Sequence, residues 1–166
     1  MSSQILLKDY NPQWPEVFRR EADRIRVVLG CQALQIEHIG STSVPTLAAK
    51  PIVDILLVVA DSADESAYVV ILESAGYFLR IREPHWHEHR MFKGPGADIN
   101  LHVFSSGCPE IHRILTLRDR LRSDPVDREL YEHTKRSLAQ LDWKDVQDYA
   151  DAKTVVIEEI LARASR

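Results

Sequence analysis

Apolar positions along this chain follow two periods, and the change between them splits it into a mixed first part and a helical last third. After a short extended stretch from Ile5 to Pro12, Phe18, Ala22, Ile25, Val28 and Leu29 recur at helical spacing. They run from Pro15, which a first turn tolerates, to Gly30. Residues 33–39 and 52–59 read as strands, the second apolar on both faces as an inner strand is. Residues 61–75 carry a helical pattern, with Asp61 or Ser62 as N-cap and Gly76 as the stop. From Tyr77 to Lys93 the alternation is strand-like, with Pro84 near a bend or an edge. Gly94-Pro95-Gly96 is a turn, and DINLHVF from Asp98 to Phe104 is another strand.

Beyond Ser105-Ser106-Gly107 the pattern is helical throughout. One helix starts at Pro109 and runs to about Arg122. Asp124-Pro125, a cap and a first-turn proline, opens a second to about Leu141. A third spans 145–164, with Val146, Tyr149, Ala152, Val156 and Ile160 on one face. There is no repeat, low-complexity tract or linker. The expectation is a single α+β domain over 1–166, a mixed sheet with flanking helices and a helical C-terminal third.

Length and composition agree with one globular domain: 166 residues, 45% hydrophobic and 28% charged. A net charge of -4 argues against a broad nucleic-acid surface, though not against a local basic pocket. No apolar stretch is long enough to cross a bilayer, and the start shows neither a basic leader nor a long apolar core. Cys31 and Cys108 make neither a disulfide framework nor a zinc-ligand spacing, so the expected location is the cytoplasm.

Candidate chemistry gathers in IEHIGSTSVPTLAAKPIVDILLVV, residues 36–59. Gly40, Ser41, Thr42 and Ser43 directly follow a strand. Glycine permits close approach of an anion to backbone N–H groups and the hydroxyls add donors, although a polar turn before Pro45 needs no ligand. Asp54 lies inside an otherwise apolar strand, where a carboxylate costs several kcal/mol (roughly) unless a metal, a cation or donors meet it. Lys50, just before that strand, can meet a phosphate or neutralise Asp54, and His38 shares a strand face with Gly40.

In DINLHVF, alternation puts Asp98, Asn100 and His102 on one face. His102 can serve as a base, a metal ligand or a donor to phosphate, or can simply pair with Asn100. His85, His87 and His89 alternate, so a strand there would present three imidazoles on one face as zinc or iron ligands, or as the polar face of an edge hairpin.

The segments IEHIGSTSVPTLAAKPIVDI, LHVFSSGCPEI, LRDRLRSDPVDRELYEHTKRSLA and YADAKTVVIEEIL, with the opening DYNPQWPEVFRREADRI, resemble those of the GrpB family. That family is assigned to the nucleotidyltransferase superfamily, and a similar domain is fused to a dephospho-coenzyme A kinase in some proteins. The resemblance implies a nucleotidyltransferase-like fold that binds a nucleotide or other phosphorylated small molecule, with Mg2+ as the expected cofactor. The implied reaction is in-line attack of an acceptor hydroxyl or amine on the α-phosphorus, pyrophosphate leaving.

Residue by residue, Gly40 and Ser41 match the superfamily's Gly-Ser and Asp54 its first metal carboxylate. The second carboxylate position is Leu56. The third falls to Asp98 or His102, so Asp54 and Asp98 are the expected metal ligands, and Asp54, Asp98 and His102 the expected catalytic set. The resemblance adds Arg90 as a phosphate-binding guanidinium, and Arg118, Lys135 and Lys153 as cations lining the cleft. The loss at position 56 favours an alternative, a non-catalytic module that senses a ligand or docks a protein partner.

Overall fold

The computed structural model describes residues 5–96 and 98–165. A stripe of apolar side chains behind Pro15 forms the first helix, α1 (Trp14–Leu29), which buries Ala22, Ile25 and Leu29. The alternating segments form β1 (Gln35–Ile39), β2 (Val53–Val59), β3 (Phe78–Glu83), β4 (His89–Lys93) and β5 (Ile99–Ser105). These make one sheet in the order β1-β2-β5-β4-β3, with β2 and β5 parallel at its centre and the other neighbours antiparallel.

The doubly apolar pattern of β2 reflects this central place. Ile55, Leu57 and Val59 face the core shared with α1 and with α2 (Val69–Ser74), alongside Phe92, Leu101 and Val103. Leu56 and Val58 face the other way. With Ile39 and Phe104 they pack beneath α3 (Pro109–Ser123), against Cys108, Ile111, Ile114 and Leu115. Three further helices, α4 (Pro125–Ala139), α5 (Val146–Ala152) and α6 (Thr154–Ala164), complete the helical third. Its own core joins Leu121, Tyr131, Val156 and Ile160 to Val44 and Leu47 from the loop after β1, so the cap is fastened over that loop.

Three local expectations are corrected. The helix expected over 61–75 is α-helical only in α2, behind a 3-10 turn at Glu65–Ala67. Neither Asp61 nor Ser62 caps it: Asp61 accepts from the Ala63 amide at 3.0 Å, and buried Ser62 bonds Ser105 Oγ and donates to the Glu88 carbonyl. The single helix expected over 145–164 is two, divided at Lys153, where the β-branched Thr154, Val155 and Val156 weaken continuation. The alternation through PHWHEHR is interrupted by a turn before β4, in which His87 and Glu88 take φ of 56° and 48°. His85 and His87 therefore lie in a turn and only His89 in a strand, so the three imidazoles do not share a face. Among the described residues no helix is long and apolar enough to cross a membrane.

Asp127 holds the cap together. Its buried carboxylate accepts from Arg120 Nε of α3 at 2.8 Å and from Arg163 Nε of α6 at 3.0 Å. The Arg163 hydrogen bonds, with those of Arg120, hold its pKa below the ordinary 3.8 against the opposing effect of burial. A carboxylate with a depressed folded pKa contributes stability above its unfolded pKa and loses it as pH falls. Asp127→Ala is expected to lower the unfolding free energy by about 2–3 kcal/mol at neutral pH, less than a fully buried pair because both arginines reach solvent. The deficit should shrink on acidification; urea titrations at neutral and acid pH measure both, and an unchanged midpoint at neutral pH would contradict this role.

Candidate functional site

The cleft begins where β1 ends. Gly40 takes φ of +73°, and a Cβ there would lie 2.6 Å from Asp54 Oδ2, so the position requires glycine on both conformational and steric grounds. Ile39 pairs with Asp54 across β1 and β2, which is how a sequence separation of 14 becomes contact between loop and carboxylate. Ser41, Thr42 and Ser43 form a 3-10 turn whose own hydrogen bonds use the amides of Ser43 and Val44.

Helical residues clamp this loop. Arg118 donates to Glu37 Oε2 at 2.6 Å and to the His38 carbonyl at 3.2 Å, and Arg122 Nε donates to the Ser43 carbonyl at 2.9 Å. Lys135 Nζ donates to Ser41 Oγ at 2.7 Å and to the Ala48 carbonyl at 2.8 Å. The Ala48 amide donates to Glu132 Oε1 at 2.8 Å. His38 is buried on the α1 side, stacked on Phe18 and 3.0 Å from Thr42 Oγ1; burial and Arg122 hold its pKa down at about 4. His38 and Thr42 thus support the loop from behind and do not line the cleft.

Two compartments meet at Ser41 and Asp54. One, of about 320 Å³, is mainly apolar, walled by Ile39, Ile114, Leu117, Leu121, Tyr131 and Ile157, with Arg113 and Arg118 also along it. The other, of about 190 Å³, is lined by Ser41, Lys50, Ile52, Asp54, Asn100, Lys135, Tyr149 and Lys153. Three lysines share it with one carboxylate. Burial brings Lys135 down to about 7, with Lys153 adding repulsion; burial also lowers Lys50, again with Lys153, and lowers Lys153. The ammonium groups of Lys50 and Lys153 lie 5.7 and 4.8 Å from the Tyr149 ring centre. The Tyr149 hydroxyl is buried and is the one buried side-chain polar atom without a partner among the described residues. An anion in this compartment would relieve the repulsion among the lysines.

Asp54 Oδ1 lies 3.1 Å from His102 Nε2, and the contact continues: His102 Nδ1 to His89 Nε2 at 3.0 Å, His89 Nδ1 to Glu83 Oε1 at 2.8 Å. Alternation placed Asn100 and His102 on this face, and both line the cleft. Asp98 does not: it is exposed one residue before β5, outside both compartments. Arg90 is also displaced. It pairs with Val103 on the opposite sheet face, where it donates to Glu65 Oε2 at 2.8 Å and Glu88 Oε2 at 3.0 Å. Within β4 His89 faces the cleft and Arg90 the other side, as strand alternation requires. Tyr131 and Glu83 carried no sequence signal, because their relation to Asp54 arises only from helix docking and strand pairing.

The chain's own groups make no complete Mg2+ site: the ion takes near-octahedral oxygens, commonly one or two carboxylates with water and substrate phosphate, and Asp54 is the one carboxylate lining the cavity among the described residues. Asp54 has Oδ1 against His102 and Oδ2 against Gly40, while Leu56 is fully buried under α3. Among the described residues no group of three or more His, Cys, Asp and Glu side chains is placed to hold a metal. Asp98 lies outside the cleft, so it does not pair with Asp54, and His85 and His87 sit in a turn apart from the strand that carries His89.

The sequence profile of the GrpB protein family matches residues 4–163. A UPF0157 protein of Halalkalibacterium halodurans is 61% identical over 99% of this chain and 84% of its own length. The crystal structure of conserved protein GrpB from Enterococcus faecalis superposes with a TM-score of 0.82 at 31% identity, over 97% of this chain and 100% of that one. Cid1 poly(U) polymerase with MgGTP bound superposes with a TM-score of 0.51 at 14% identity, over 77% of this chain and 45% of that one, a likeness of fold alone.

Leu56 tests whether a two-carboxylate site is latent. Leu56→Asp is expected to lower stability by about 3 kcal/mol or more, since it buries a carboxylate among Ile39, Val58 and Phe104. Thermal melts with and without Mg2+ should coincide. A rise of several degrees with Mg2+ in this variant alone would show that the cleft retains a metal geometry.

Proposed function

The chain belongs to the GrpB family, and we propose that its cleft binds a nucleotide or a related phosphorylated metabolite. The phosphates would lie among Lys50, Lys135, Lys153 and Ser41, and the base or another apolar moiety in the compartment under α3. One observation carries this reading: three buried or half-buried lysines line a small cavity beside a single carboxylate. Such an excess of desolvated positive charge is costly without an anion.

In this reading the ammonium groups neutralise phosphate charge where the superfamily pattern uses metal-bound carboxylates. The chemistry that fits is nucleotidyl transfer. An acceptor hydroxyl or amine forms a bond to the α-phosphorus, pyrophosphate departs with the electron pair of the broken P–O bond, and the Asp54–His102 pair takes the acceptor's proton. A second reading, a ligand-sensing or partner-docking module of the same fold, is favoured by Leu56 alone. Both readings share the ligand site and differ in whether pyrophosphate appears.

Isothermal titration with ATP is expected to show binding in EDTA as well as in Mg2+. Lys135→Met should weaken it at least about tenfold, one charge-assisted contact's worth. Because burial holds the Lys135 ammonium of the free protein down at about 7, affinity should fall as pH rises above that value. Absence of binding to ATP, GTP, CTP, UTP and coenzyme A would overturn the proposal. Binding only in Mg2+ would overturn the metal-free part of it. Bound nucleotide with no pyrophosphate released across an acceptor panel would favour the module.

A further inference from the structure

Beyond His102 the cleft opens into a groove of about 710 Å³ that shares Ile39, His102 and Ile114 with the apolar compartment. Its walls come from the β3–β4 hairpin, through Ile81, Glu83 and Trp86, and from the α5–α6 junction, through Gln147, Asp151 and Thr154. His89, His102 and Phe104 line it from the sheet.

Trp86 is 43% exposed, with its ring set edge-on to His89 at 5.2 Å and to Phe104 at 5.8 Å between centroids. The turn presenting it keeps two successive non-glycine residues, His87 and Glu88, in the left-handed region. Such a backbone costs roughly 1–2 kcal/mol per residue. Its surroundings hold it there: Ser62 Oγ donates to the Glu88 carbonyl at 2.7 Å and Arg90 to the Glu88 side chain at 3.0 Å. An exposed indole held on a strained, fastened turn is a feature that packing does not require.

Charge separates this groove from the phosphate compartment. The groove carries two carboxylates, Glu83 and Asp151, and neither lysine nor arginine. Helix α5 makes the boundary. Tyr149 and Lys153, four residues apart, line the cationic compartment, and Gln147 and Asp151 line the groove. An offset of two residues turns a helix by about 200°, so α5 presents Tyr149, with Lys153 just past its end, to one compartment and Gln147 and Asp151 to the other.

We propose that this groove is the acceptor subsite, and that it takes a small aliphatic amine or polyamine. Its ammonium rests on the Trp86 ring between Glu83 and Asp151, and the rest of the molecule reaches toward His102. Carboxylates and an aromatic face together select a cation over a neutral or anionic molecule of equal length. The term acceptor rests on the phosphate-binding reading above; the amine site does not.

The test uses the whole chain without nucleotide. The indole N–H resonance of Trp86, assigned by its loss in Trp86→Phe, is followed while spermidine is added at about physiological ionic strength. The expected result is a saturable shift with spermidine and none with 1,8-octanediol or suberate. Asp151→Asn, which keeps its contact with Gln147, should weaken spermidine roughly fivefold. Trp86→Leu, followed by calorimetry, should weaken it about as much or more. Octanediol binding as well as spermidine would overturn the proposal, and so would unaltered spermidine affinity in both groove variants. The spermidine titration contains no nucleotide, so failure of ATP to bind and failure of spermidine to bind are separate results.

Discussion

The Lys135 ammonium is the point on which the site's architecture converges. It leaves α4, crosses to the loop after β1, and donates to both Ser41 Oγ and the Ala48 carbonyl, the beginning and end of that loop. Arg118, Arg122 and Glu132 from α3 and α4 also hold β1 or this loop, and Lys135 lines the cationic cavity beside Asp54 as well. Cap docking and charge placement are therefore one event: seating α4 on Val44 and Leu47 drives an ammonium into a site where water no longer solvates it freely. The depressed pKa of Lys135 is the mark of that desolvation, and a phosphate oxygen is the kind of partner that would offset it.

This arrangement accounts for how β2 holds a lone carboxylate. On one face of the strand, Asp54 is open to the cleft and Leu56 is sealed beneath α3 two residues later. A second carboxylate at 56 would require α3 to lift away, yet α3 supplies Arg118 and Arg122, which fix the loop. In this chain the apolar face is closed over position 56, and β2 presents Asp54 alone to the cleft. Positive charge reaches the cavity from Lys50, Lys135 and Lys153.

The sheet half of this site was legible in the sequence because strand periodicity is local. Gly40 before a hydroxyl turn and Asp54 inside an apolar strand each break a pattern that packing alone would keep, and both lie where that reading placed them. Asn100 and His102 followed from alternation. The same rule failed for His85 and His87, which lie in the turn before β4, and nothing in PHWHEHR announces αL at a histidine and a glutamate; Arg90 came from the resemblance. The rule failed for Asp98 by one residue, since the strand begins after it. Lys135 and Lys153 came from family resemblance, not from periodicity. A lysine on a helix is ordinarily solvated, and only the docking of distant helices decides which ones are not.

The break at Lys153 then acquires a physical role. In one continuous helix over 145–164, Tyr149 and Lys153 would still share a face, but the segment beyond them would follow the same axis. The turn at Lys153 lets α6 pack Val156 and Ile160 into the cap core while α5 stands between two compartments of opposite charge. Thr154, last of the groove-lining residues, directly follows the last of the cavity-lining lysines, so the two walls are covalent neighbours. Any shift of α5 that tightens the lysines around a phosphate would also move Asp151 relative to Trp86. The His102–Asp54 contact lies at the junction of the two spaces, which is where a group passing from one bound molecule to another would have to cross.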